Sequence, residues 1–270
     1  MKKLLFGVLM TIAVSANTMA QKSWPSTSEG EYSWTCGILT YLDSTSVASS
    51  LLLLDKYPEQ GTPMFLVDEY MYFKAKLLRD TPRGLEAILD ARIGGDTILT
   101  RFTEALGMPI TKDDTPELYN LLMGMKETAG TLATMHAKQH YKRIRPFMYY
   151  NESSMTPEAE AELRKNGSYP SGHSTMFYAI SLVLQEICPE RQVELMRRGI
   201  EGGYSRVICG VHWYSDVIAG QILASTIVAR LHAHPGFCQQ LEKAKQEFET
   251  IKKKRTDISQ VRRIFPKGVD

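Results

Sequence analysis

Gly167-Ser168-Tyr169-Pro170-Ser171-Gly172-His173-Ser174 is the stretch on which the reading of this chain turns. A run of small and turn-forming residues ends in Ser-Gly-His and leads into Met176, Phe177, Ile180, Val183, Leu184 and Ile187. Their three-and-four spacing predicts one face of an amphipathic helix. The loop therefore feeds a helix N-terminus, whose first N–H groups lack internal partners and carry the positive end of the dipole. Ser171, Gly172 and His173 can present donors to an anion such as phosphate. Pro170 stiffens the approach, and Gly172 lets a ligand come close to the backbone. The plainer alternative is that Ser171 only caps a buried helix.

Upstream, Thr115-Pro116-Glu117 is a helix start with a capping hydroxyl, a first-turn proline and an acid at the positive end. The stripe Leu118, Leu121, Leu122, Met125, Ala129 and Leu132 is expected to continue toward Pro146, delivering Lys138 and Arg145. Seven residues make two turns, so the two cations fall on one face about 10 Å apart. They can serve one anion, or they can belong with Lys142 and Arg143 to a solvated basic face. Downstream, Pro189-Glu190 opens a helix running through Val193, Leu195, Met196 and Ile200 to Gly202-Gly203. Ser205-Arg206 follows, then His212 and Asp216, four apart at the start of another helix and so neighbours on one face. A carboxylate there can hold the imidazole Nδ1–H and leave the Nε2 lone pair outward as nucleophile or base. A structural histidine satisfied by its helix neighbour is the alternative.

The rest is helical in pattern. Pro63 begins a helix with the stripe Phe65, Leu66, Tyr70, Phe73, Leu77 and Leu78. Thr81-Pro82 begins another with Leu85, Ile88 and Leu89, ended by Gly94-Gly95, and a third is expected from Asp96 to Leu106. Residues 147–166 are polar, with a short helix after Thr156-Pro157 over one side of the site. Alternating strand patterns are almost absent, so the expected fold is all-α, a single compact helical domain.

Composition excludes several classes. The formal charge is +2, but Met1 to Ala20 holds Lys2, Lys3 and no acid, so 30 basic residues face 30 acidic ones beyond it. A neutral chain gives no global case for nucleic acid or membrane. Met1-Lys2-Lys3 and the apolar run from Leu4 to Val14, ending near Ala20, read as a secretory signal peptide. No other segment reads as a membrane span. The expected organisation is residues 1–20 as signal, 21–250 as the catalytic domain and 251–270 as a basic tail, with the product periplasmic or secreted. Within the domain, 21–57 reads as an irregular arm. Cys36, Cys188, Cys209 and Cys238 have three possible pairings, or at least two are buried free thiols. Among the remaining histidines, His136 and His140 are four apart but lack the glutamate of a zincin, so no metal is expected.

Lys138 through Arg145-Pro146, Pro170-Ser171-Gly172-His173, and Ser205-Arg206 through His212 to Asp216 share one logic. In this order and spacing they resemble the three-part signature of the type 2 phosphatidic acid phosphatase (PAP2) superfamily. The stretch Gly167 to His173, with the signal and the single helical domain, looks like its bacterial class A non-specific acid phosphatases; Ser174 stands where that class often has threonine. The resemblance runs from about Tyr41 to about Thr250 and implies the helical fold that the superfamily shares with haloperoxidases. It implies that His212 attacks phosphorus, Asp216 orients it and His173 protonates the leaving oxygen. Lys138, Arg145, Arg206, Ser171 and the Gly172 amide would hold the phosphoryl oxygens. It further implies small phosphomonoester substrates (nucleotides, sugar phosphates, aryl phosphates), no cofactor and a homo-oligomer. Two rival readings are a vanadium-dependent haloperoxidase and a phosphate or polyanion binder without turnover.

Overall fold

The computed structural model describes residues 40–264, with side chains through residue 255. In chain order the helices are α1 (Ser50–Leu53), α2 (Pro63–Lys76), α3 (Pro82–Asp90), α4 (Thr97–Thr100) and α5 (Thr103–Leu106). Next come α6 (Pro116–Glu127), a π-helical turn (Thr128–Leu132), α7 (Met135–Tyr141), α8 (Pro146–Tyr149) and α9 (Glu160–Leu163). The long helices α10 (Gly172–Ile187), α11 (Gln192–Ile208), α12 (Tyr214–His232) and α13 (Pro235–Ile264) complete the fold. Among the described residues there is no strand, and no helix is long and apolar enough to cross a membrane. The signal peptide, most of the 21–57 arm and Cys36 lie outside the described residues.

The helix starts follow the prolines: Pro63, Pro82 and Pro116 each sit in a first turn, where the missing N–H has no helical partner to lose. The fold is layered around α10, which packs between α11 and α12, while α13 closes over α6. Its expected stripe, from Met176 to Ile187, is buried, as is that of α6 from Leu118 to Met125, continuing through Ala129 and Leu132. These two helices form the main core with Phe102, Ile227, Leu231, Phe237 and Phe248.

Several expectations are corrected. Of the expected α2 stripe, Phe65 is buried and Leu78 partly so, but Leu66, Tyr70, Phe73 and Leu77 are exposed, and Asp68, Tyr72 and Ala75 face inward instead. Burying Asp68 gives it an arginine and a serine to bond, and the helix rotates to keep that contact. Similarly, α3 buries Gly84, Ala87 and Asp90 and exposes Leu85 and Leu89. It ends at Asp90 rather than at Gly94-Gly95, and the expected third helix is the short pair α4 and α5. On α11, Val193 and Ile200 are exposed, and the helix does not stop at Gly202-Gly203. A Cβ at Gly202 would lie 2.1 Å from the Phe177 ring, so this glycine lets α10 and α11 approach while the helix continues to Ile208.

The helix expected to run on to Pro146 ends at Tyr141, where Lys142 takes a left-handed φ of 45°. Arg145 is extended (φ −77°, ψ 152°), as the residue before a proline tends to be. Cys188, Cys209 and Cys238 are free, the first two buried. Helix α13 carries its helical backbone into the basic stretch, as far as Ile264.

Candidate active site

The signature stretch enters α10 as its sequence suggests. Ser171 is the N-cap, its side chain accepting from Ser174 N, and its own N–H donates to the Asp216 carbonyl at 2.9 Å. That bond fastens the start of α10 to the start of α12. Gly172 has a reason beyond the expected one: a Cβ there would stand 2.8 Å from the Gly130 carbonyl oxygen in the π-helical turn. The glycine therefore permits a backbone-to-backbone approach within the fold.

His212 does not lie on α12. It precedes the helix, with Trp213 as N-cap and Asp216 in the first turn, where the carboxylate accepts from the Trp213 N–H at 2.9 Å. The same oxygen, Oδ2, lies 3.2 Å from His212 Nδ1. On the other side of the ring, Arg145 NH1 lies 3.2 Å from Nε2. A guanidinium can only donate and a carboxylate can only accept, so these contacts assign the proton to Nδ1 and the lone pair to Nε2. Burial first, then the charges of Arg145, Lys138 and Arg206, push the His212 pKa well below the usual 6.5, with the Ser168 backbone pulling the other way. The imidazole is neutral.

Three cations converge on it. Lys138 Nζ donates to the carbonyls of Gly167 at 3.0 Å and Ser168 at 3.4 Å, tying α7 to the signature loop. Burial, followed by the Arg145 charge, lowers its pKa well below the ordinary lysine value, while Asp216 opposes the shift. Arg145 is pinned by carbonyls of Leu163, Val211 and Gly167 and by the Asn166 side chain. The polar 147–166 segment thus supplies acceptors that aim this arginine. Burial brings the Arg145 pKa down to about 9, against the pull of Asp216. Although Lys138 and Arg145 do not share a helix face, both reach the Gly167 carbonyl.

Arg206, in the last turn of α11, is buried, and its Nε and NH1 have no hydrogen-bond partner. Desolvation lowers its pKa, opposed by Cys209 and Asp90. Buried guanidinium donors without acceptors are costly unless an anion meets them. His173, in the first turn of α10, places Nε2 3.1 Å from the Ala91 carbonyl, which assigns a proton to that nitrogen. Burial, then Arg206, depresses its pKa well below 6.5, with His212 and Lys138 adding to the effect and Ala91 opposing it. His136 and His140 join no group of metal-ligating side chains among the described residues.

Sequence reasoning missed two charged residues here. Arg143, expected on a solvated face with Lys142, is buried, and Asp68 is buried beside it. The available signal was Pro146: an extended run into proline alternates its side chains, so Arg143 and Arg145 face inward while Lys142 and Ile144 face out.

Comparison with known proteins places the chain in a family. Residues 120–237 match the PAP2 superfamily. Over 215 residues, 80% of this chain and 87% of the relative, the sequence is 49% identical to a non-specific acid phosphatase of Providencia stuartii. It is 42% identical over 199 residues, 74% of this chain and 80% of the relative, to one of Salmonella typhimurium. An acid phosphatase of Zymomonas mobilis is 34% identical over 199 residues, 74% of this chain and 75% of that one. With that identity over most of both chains, the chain belongs to the PAP2 superfamily and to its non-specific acid phosphatases.

Proposed function

We propose that the protein hydrolyses phosphate monoesters of broad structure through a phosphohistidine on His212, without a metal ion, in the periplasm or outside the cell. The observation that carries this reading is the His212 ring itself: its lowered pKa favours the neutral form, and its Nε2 faces Arg145 with Lys138 and Arg206 close by. The relatives named as acid phosphatases support the reaction class.

Phosphoryl transfer needs alignment and positive electrostatics more than it needs covalent chemistry. Lys138, Arg145, Arg206 and the first-turn amides of α10 hold the three non-bridging oxygens. The Nε2 lone pair attacks phosphorus, the ester P–O bond breaks, and the leaving oxygen takes a proton from His173. As Nε2 becomes bonded, the ring becomes a cation whose Nδ1–H is held by Asp216. Water, giving its proton to His173, then displaces the histidine and releases phosphate. Burial is the main cause that depresses the His173 pKa, and a substrate dianion offsets the added repulsion from Arg206 and Lys138, which favours the protonated acid when substrate is bound.

The test is turnover of p-nitrophenyl phosphate in excess chelator, with quenching of a labelled substrate in base. An acid-labile, base-stable phosphoramidate on His212, absent from His212→Ala, is the expected product. Label on serine, or turnover that chelator abolishes, would overturn the reading.

A further inference from the structure

Behind the Asp216 carboxylate, away from His212, lies a second ionic arrangement that the reaction steps above do not use. Arg143 leaves the extended segment between α7 and α8 and is almost wholly buried. Its NH1 donates to Asp216 Oδ1 at 2.6 Å and to Ser215 Oγ at 2.8 Å. Its NH2 donates to Asp68 Oδ2 at 2.7 Å. Asp68, reaching in from α2, is 1% exposed and accepts from Ser215 through both oxygens, N–H on Oδ1 at 2.7 Å and Oγ–H on Oδ2 at 2.6 Å. The guanidinium also lies over the Tyr57 and Trp213 rings, 4.8 Å and 5.4 Å from their centroids. The fork therefore has no freedom to turn away.

We propose that Arg143 and Asp68 are positioning residues that act through Asp216: Arg143 holds that carboxylate by Oδ1 so that Oδ2 stays turned toward His212 Nδ1, and Asp68 balances the arginine. The chain of groups Asp68, Arg143, Asp216 and His212 then carries one net negative charge while the imidazole is neutral. When Nε2 is phosphorylated the ring gains a positive charge and the chain becomes neutral. Without Asp68, the positive arginine would face the developing imidazolium with only one carboxylate between them. Without Arg143, two buried carboxylates would lack their shared cation, and the His212 ring beside them would take up a proton more readily. This rests on the reading of His212 as nucleophile. Other ionisable groups close to Asp216 are Lys138 on α7, Arg145, His212 and Tyr169, and they are the same in every variant below.

The experiment compares wild type, Arg143→Gln, Arg143→Lys and Asp68→Asn as full chains. Turnover of p-nitrophenyl phosphate is followed against pH, inorganic phosphate inhibition is measured, and 15N NMR follows protonation of the His212 ring against pH. Arg143→Gln is expected to lower kcat by roughly 10- to 100-fold, the usual size for a group that orients a reacting side chain. Phosphate inhibition should stay within about threefold, because Lys138, Arg145 and Arg206 remain. The acid limb of the kcat profile should move to higher pH in Arg143→Gln, less in Arg143→Lys, and to lower pH in Asp68→Asn. Opposite shifts from two members of one ion cluster are not expected from a general loss of folding. Should Arg143→Gln not fold, the lysine and asparagine variants carry the same test. Acid limbs that superimpose on wild type, with rate losses matching the unfolded fraction, would overturn the proposal. So would a His212 ring whose 15N titration in the folded variants superimposes on that of the wild type. The NMR readout needs no turnover, so failure of the monoesterase reading and failure of this relay are distinguishable.

Discussion

Gly172→Ala separates two explanations of the same residue. If the glycine serves ligand approach, alanine weakens phosphate binding and leaves the free protein as stable as before. The structure favours a contact inside the fold, because the added Cβ would stand 2.8 Å from the Gly130 carbonyl oxygen and 3.8 Å from Thr134 Oγ1. Ordinary contact begins near 3.4 Å, so the first turn of α10 and the π-helical turn must separate by about 0.6 Å. The Gly130 oxygen also accepts from Thr134 Oγ1 at 2.8 Å and belongs to backbone, so it cannot swing aside like a side-chain tip. Overpacking of this kind costs about 1–3 kcal/mol, and the better helix propensity of alanine returns up to about 1 kcal/mol. A net loss of about 1–2 kcal/mol corresponds to a Tm fall of roughly 2–8 °C in a protein of this size. The displacement also moves His173 and the Ser171 cap relative to Lys138 and Arg145. Since a 1 Å misplacement can cost about 10²-fold, kcat should fall by about tenfold or more. Thermal melts with and without phosphate, together with kcat and KM, make the test. A normal Tm in the absence of phosphate, with the loss confined to KM, would refute the packing argument.

Arg206→Met should raise the Tm of the protein measured without phosphate, because it removes buried donors that have no partner, while abolishing the increase in Tm on adding phosphate; a marked fall in Tm would show that the guanidinium is structurally satisfied. The two depressed histidines make a pH prediction. Their folded pKa values lie below 6.5, so as pH falls through 6.5 the unfolded chain takes up protons that the fold refuses, and stability drops. Both groups act in the same direction, and phosphate should recover much of the lost stability. Urea unfolding at about pH 7.5 and 5.5 checks this, and equal stabilities would contradict the burial of two neutral imidazoles. His173→Ala should slow hydrolysis of alkyl and sugar phosphates by about 10²–10⁴-fold while sparing phosphoenzyme formation from esters of acidic phenols. Single-turnover rates across a leaving-group series test it, and a uniform deficit would leave His173 a phosphate ligand only.

Where local chemistry is sufficient, the sequence alone determined the outcome. Prolines at 63, 82 and 116 mark helix starts, and the apolar stripes of α6 and α10 are buried as their spacing requires. The three segments carrying Lys138 and Arg145, Ser171 to His173, and Arg206 to Asp216 come together as their order suggests. A local signal exists at Arg145, where the following proline favours extended backbone, and Arg143 two residues before it lies on the same buried side. Other features have no local signature. The inward face of α2 is chosen by Asp68 meeting Arg143 and Ser215, partners 75 and 147 residues away, and this leaves Tyr70 and Leu77 in solvent. Helix α11 runs through Gly202-Gly203 because Phe177 of α10 fills the space a Cβ would take. Gly172 is required by a carbonyl 42 residues earlier, and the tautomer of His212 by an arginine 67 residues before it. Periodicity reports which face of a segment is apolar, but burial of a charge or absence of a side chain is decided by the partner across the contact. That partner exists only once the helices have packed.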